Sequence, residues 1–222
     1  MQSNNNPSID PANNDSLAGT LQFAFSKMLQ NVNGMLPAKV ISYDRTTNRV
    51  QVQLLIAILT TDGSTVSRQQ LASLPVLVLG GGGFMLSFNL VPGDLGWVCA
   101  NDRDISLFLQ SYDESAPNTA RKCSFSDGVF IPDVMRGYTI NAGDSGNAVF
   151  QSTDGTKCIS IGSSGITITA PIVTVVGALS ATDGLSVGGG VTPFTVTGSM
   201  TLLGDIAVTG NITATGDITP HV

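Results

Sequence analysis

Residues 196–218 read VTGSMTLLGDIAVTGNITATGDI. Glycines recur every six residues, at Gly198, Gly204, Gly210 and Gly216. Two places after three of them stands an isoleucine, Ile206, Ile212 or Ile218, and Met200 holds that place in the first unit. Glycine accepts positive φ, and the Asp, Asn or Ser beside it caps the local backbone, so each unit opens on a turn. The residues that follow alternate apolar and polar, as in Ile206-Ala207-Val208-Thr209, which is the period of a strand. A flexible Gly/Ser/Thr linker lacks such regularly spaced β-branched residues.

Strands this short cannot bury an apolar face alone. Stacking many of them does, so the repeat implies a β-helix or solenoid. A single-chain coil with three faces needs about 18 residues, and the stretch after Asn147 would supply only about four coils. A six-residue period suits three chains wound about one axis, each giving one short strand per face. The expectation is a homotrimer with Ile206, Val208, Ile212 and Ile218 in its shared core.

Composition agrees with a strand-rich protein. Of 222 residues, 42% are hydrophobic and only 12% charged, about half the usual charged fraction. The net charge of −6 and the absence of any Lys/Arg cluster argue against a nucleic-acid partner. The opening MQSNNNPSIDPANNDS has no basic start or apolar centre, so a secretory leader is not expected. No apolar run reaches the roughly 18 residues of a transmembrane helix. Cys99, Cys123 and Cys158 are odd in number and form no CxxC, as expected of reduced thiols in a cytosol.

Taken in order, residues 1–15 are rich in Asn, Ser and Pro. Asp15-Ser16 then offers an N-cap, and Leu17, Leu21, Ala24, Phe25, Met28, Leu29 and Val32 share one helical face before Gly34. This helix could pack on its own domain or dock on a partner. Short strands follow: residues 38–43, 49–59, 74–79, 84–88, 95–100 and 105–109. Turns are expected at residues 44–48, Asp62-Gly63, Gly80 to Gly83 and Pro92-Gly93-Asp94. Five or six antiparallel strands in about 75 residues suit a small barrel such as the OB-fold. Residues 111–146 read as irregular apart from a short strand at 129–131. Alternation returns after Asn147. The fold expected is all-β: residues 1–34 an arm and amphipathic helix, 35–118 an OB-like barrel, 119–146 a connector, and 147–222 an intertwined trimeric β-helix with its tip.

Several of these segments, in this order, carry a family resemblance. Val40-Ile41-Ser42-Tyr43-Asp44, Asn48-Arg49-Val50-Gln51-Val52-Gln53, Leu74-Pro75-Val76 and the glycine run resemble the N-terminal barrel of phage baseplate central spike proteins. So do Pro92-Gly93-Asp94 with Gly96, Asp102-Arg103-Asp104-Ile105 and Arg121-Lys122-Cys123-Ser124-Phe125-Ser126-Asp127-Gly128. The resemblance covers roughly residues 36–132. It implies a virion protein made in the bacterial cytoplasm, seated in the tail baseplate, that pierces the host outer membrane when the tail contracts. It also implies baseplate hub proteins as partners, docked on Leu17, Leu21, Phe25, Met28 and Leu29, and a tip at Pro220, His221 and Val222, bare or covered by a separate tip protein. Spikes of this kind often end in a His-x-His motif whose imidazoles hold iron. Here only His221 stands in Thr219-Pro220-His221-Val222, which leaves three imidazoles per trimer for one iron or another transition metal. The alternative to such a metal is a solvent-exposed terminal histidine.

Catalysis has little to work with. His221 is the sole histidine, and the carboxylate pairs Asp102/Asp104 and Asp113/Glu114 read as turn residues. Gly80 to Gly83 lacks the Lys-Ser/Thr of a phosphate loop. Trp97, the only tryptophan, reads as core. The expectation is a structural protein with no enzyme activity. A trimeric fibre or adhesin binding a host-surface glycan, or the spike of a related contractile injection system, would share most of these features.

Overall fold

The computed structural model describes residues 16–29, 32–60, 63–135 and 137–187, with scattered residues between 195 and 215. The chain is mostly β with few helices. It divides into Met1–Pro171 and Ile172–Val222.

The first element is helix α1, Leu17–Leu29. Ser16 caps it: its Oγ accepts the Gly19 N–H at 3.0 Å, satisfying one of the orphan donors of the first turn. Leu17, Leu21, Phe25, Met28 and Leu29 are all exposed on the single chain.

Five strands then build one antiparallel sheet. They are β1 (Met35–Asp44), β2 (Arg49–Leu54), β5 (Leu71–Pro75), β8 (Leu95–Arg103) and β9 (Lys122–Pro132), in the order β5-β2-β1-β8-β9. Two small hairpins interrupt the sequence: β3 (Ile58–Leu59) with β4 (Thr65–Val66), and β6 (Leu79–Gly81) with β7 (Phe84–Leu86). The outer strands meet through a bridge between Val76 and Phe130, and the Leu77 N–H donates to the Phe130 carbonyl at 2.8 Å. The sheet is thereby a nearly closed barrel, of the kind expected for an OB-like domain.

Alternation decides what fills it. Val50, Val52 and Leu54 of β2 point inward and are buried, as are Val40, Leu74, Val98, Phe125 and Phe130. Phe130 fits because Gly96 on the neighbouring strand has no side chain: a Cβ there would run into the Phe130 ring and the Ile131 carbonyl. The tight β1–β2 turn falls at Asp44 to Asn48, as the sequence indicates. Asp44 Oδ1 accepts the Thr46 N–H at 2.9 Å, and Asn48 sits at φ +53°.

Two parts of the barrel depart from the sequence reading. Residues 105–109 are not a strand. They enter helix α2 (Phe108–Ser111), because the Asp104 carboxylate takes the Ser106 N–H at 2.9 Å and turns the chain. The strand beside β8 is instead β9, which lies in the stretch read as a connector. The long strand expected at 49–59 also stops at Leu54 and resumes only as the short β3.

After a short 3-10 turn at Ala142–Asp144 come β10 (Ala148–Gln151), β11 (Cys158–Gly162) and β12 (Gly165–Thr169), a three-stranded antiparallel meander. Beyond it, the described residues of Ile172–Val222 form no helix or strand, and all are exposed. Two repeat glycines can be read there. Gly204 has φ +134° and Gly210 φ +144°, conformations that side chains rarely adopt and that the repeat assigned to its turns. Of the residues expected in a trimer core, Val208 is half-exposed on the single chain, while Ile206, Ile212 and Ile218 lie outside the described residues.

Candidate functional site

The meander β10-β11-β12 is built inside out. Pairing places Phe150 opposite Ile159 and Ile159 opposite Ile168; the next row is Ala148, Ile161 and Ile166. Because successive side chains alternate faces, these six share one face. It carries no polar group, and its five large side chains are exposed, Ile166 by 68%.

The opposite face is covered over β10 and β11, while Thr167 and Thr169 of β12 stay exposed. Cys158 and Ser160 are buried there, beside Gln151. The preceding segment lies against it. Gln151 Nε2 donates to the Thr139 carbonyl, Asn141 Nδ2 to the Gly155 carbonyl and Asn147 Nδ2 to Ser160 Oγ. Burial, and then the Asp144 charge, push the Cys158 thiol pKa up, so it stays a thiol. A domain that worked alone would cover the apolar face and wet the polar one. Here the apolar face is left open and the β10–β11 part of the other face is covered.

Exposed apolar residues continue beyond it. Ile172, Val173, Val175, Val176, Leu179, Leu185 and Val187 all face solvent on the single chain. Isolated apolar residues are ordinary on a surface, whereas a contiguous apolar sheet face marks an interaction site.

The barrel has exposed apolar features of its own. Hairpin β6–β7 turns on Gly82 and Gly83, both at positive φ, and presents Leu79, Phe84 and Met85.

The carboxylates read as turn residues differ in their surroundings. Asp102 is exposed and pairs loosely with Arg103 at 3.6 Å. Asp104 is buried. The Ser106 backbone N–H, then the Thr119 hydroxyl, hold its pKa down to about 2, with Arg121 adding its charge. Arg121 Nη2 reaches Asp104 Oδ2 at 3.2 Å and Asp127 Oδ1 at 2.8 Å. This cluster fastens the 104–121 loop to β9. Asp113 and Glu114 are exposed. Trp97 is half-buried, and its Nε1 donates to Asp133 Oδ2 at 2.7 Å. No group of three or more His, Cys, Asp or Glu that could hold a metal ion occurs among the described residues. Pro220, His221 and Val222 lie outside them.

Residues 36–133 match the family described as the phage protein Gp138 N-terminal domain. The matched stretch begins in β1 and ends just past β9, so it coincides with the barrel. The match supports a phage structural protein and fits a virion component made in the host. No curated protein matches the chain.

Proposed function

We propose that this protein is the central spike of a contractile-tail baseplate, a homotrimer that pierces the host outer membrane without enzymatic help. The observation that carries the proposal is the uncovered apolar face of β10-β11-β12, followed by the exposed Ile172, Val173, Val175 and Val176 and, further along the sequence, by the six-residue glycine period. Three copies of that face turned toward one axis would bury it, and the strands beyond would wrap into the trimeric β-helix. Covering side chains that are already half-buried contributes about 1 kcal/mol each, so five per chain stabilise the assembly substantially. Ladders shared between chains resist force collectively, which suits a needle that is pushed.

In this reading the barrel and α1 form the baseplate end, and the apolar side chains of α1 dock on the hub. The tip is Pro220, His221 and Val222, where Pro220 ends the ladder because it has no N–H to donate. A transition metal held by three His221 side chains belongs to the same proposal, and elemental analysis that finds the purified trimer metal-free removes it.

Deleting residues 1–34 tests the polarity. The truncated protein is expected to remain a folded oligomer that no longer joins the baseplate when it complements a phage lacking the spike. Incorporation at the normal level would place the attachment elsewhere.

A further inference from the structure

We propose that a cavity on the outer wall of the barrel is a binding site for a single neutral sugar ring. The cavity is about 260 Å³. Its walls come from the start of β2, the end of β5, the loop and helix between β8 and β9, and β9 itself. In OB-like barrels, the second and third strands and the loop joining the last two form the surface that takes oligonucleotides or oligosaccharides. The barrel's second and third strands are β2 and β5, and its last two are β8 and β9, so the cavity falls on that surface.

Its chemistry selects between the two ligand classes. Arg49 supplies a cation and Asp127 an anion, with Ser106 and Gln110 as neutral polar partners. Ile105 and Leu109 add apolar wall, and no aromatic ring lines it. Single-stranded nucleic acid needs stacking rings and a positive groove, both missing. An inorganic anion would meet the Asp127 carboxylate, and an ammonium or guanidinium group would meet Arg49. A neutral ligand with several hydroxyls suits both, because each hydroxyl donates and accepts. The Ile105 and Leu109 side chains would meet the C–H face of the ring.

One atom marks the place where a donor is wanted. Asp127 is buried, and while its Oδ1 is held by Arg121, its Oδ2 has no hydrogen-bond partner. A buried carboxylate oxygen without a donor is costly, and buried polar groups are usually satisfied. Oδ2 exposes under 1 Å² of surface, so a ligand hydroxyl donates to it once the cavity wall around it shifts. The cavity lies just under the roughly 300–1,000 Å³ of sites for drug-sized ligands, which suits one ring of a longer chain.

The test is saturation-transfer NMR on the full-length protein with the methyl glycosides of glucose, galactose, mannose and N-acetylglucosamine at millimolar concentration. At least one glycoside is expected to receive saturation. Its affinity should fall about tenfold or more in Arg49→Met and in Gln110→Ala, two substitutions outside the buried core. Thermal unfolding of each variant checks that the barrel is intact. The proposal is overturned if no glycoside binds the unsubstituted protein, or if binding is unchanged in both folded variants. It is also overturned if inorganic phosphate or arginine methyl ester binds there and the glycosides do not. Particle mass is a separate readout, so failure here leaves the spike proposal standing, and a monomeric protein would leave the sugar site standing.

Discussion

Ile161→Asp is expected to turn the protein into a folded monomer. Ile161 sits in the middle of the open face, between Ala148 and Ile166 across the strands. On a single chain it is 54% exposed, so a carboxylate there would remain hydrated and the barrel would be untouched. In a shared core, three carboxylates would converge in an apolar setting without partners, at a cost of several kcal/mol each. The penalty therefore falls on assembly and not on the fold. Light scattering should give the single-chain mass of 22.9 kDa, with the thermal transition of the barrel still present. An Ile161→Asp protein with the same particle mass as the unsubstituted chain would remove β10-β11-β12 from any interface.

Phe130→Ala should have the largest effect on the barrel itself. Phe130 is fully buried, its carbonyl bonds Leu77 and its backbone forms the bridge that brings the outer strands together. Gly96 leaves room for the ring and offers nothing to fill the hole once the ring is gone. Truncating a buried Phe to Ala typically costs about 3–5 kcal/mol. For a domain of this size that lowers the barrel's Tm by roughly 10–30 °C. Circular dichroism followed on heating reads it directly; a shift of only a few degrees would mean that the core is organised around other residues.

The sequence was most legible where one physical rule acted alone. In β2 the alternation of Val50, Val52 and Leu54 reads as a strand with one buried face, and that is its form. Ser16 and the apolar spacing behind it read as a capped amphipathic helix, and α1 starts there. The misses come where a distant partner overrides the local pattern. Residues 122–128 read as part of an irregular connector, yet they belong to β9. The ladder with β8 absorbs an irregularity between Cys99 and Asn101, and Arg121 pairs with the buried Asp127 there. Residues 105–109 alternate weakly like a strand, but the buried Asp104 carboxylate holds the Ser106 N–H and begins a turn.

The open face shows a different limit. Ile159/Ile161 and Ile166/Ile168 announce a two-faced strand pair in the sequence, yet alternation does not say which face the chain covers. The hydrogen bonds of Asn141, Asn147 and Gln151 settle that, since they tie the preceding segment to the polar side. The polar cavity at Arg49 and Asp127 had no signal in the sequence, because its residues come from four separated segments.

The central claim is that the apolar face and the repeat beyond it close on two further copies of the same chain. Multi-angle light scattering of the full-length protein at micromolar concentration is the most direct test. The expected mass is close to three times 22.9 kDa, unchanged on dilution. A stable, folded species of 22.9 kDa would contradict the account.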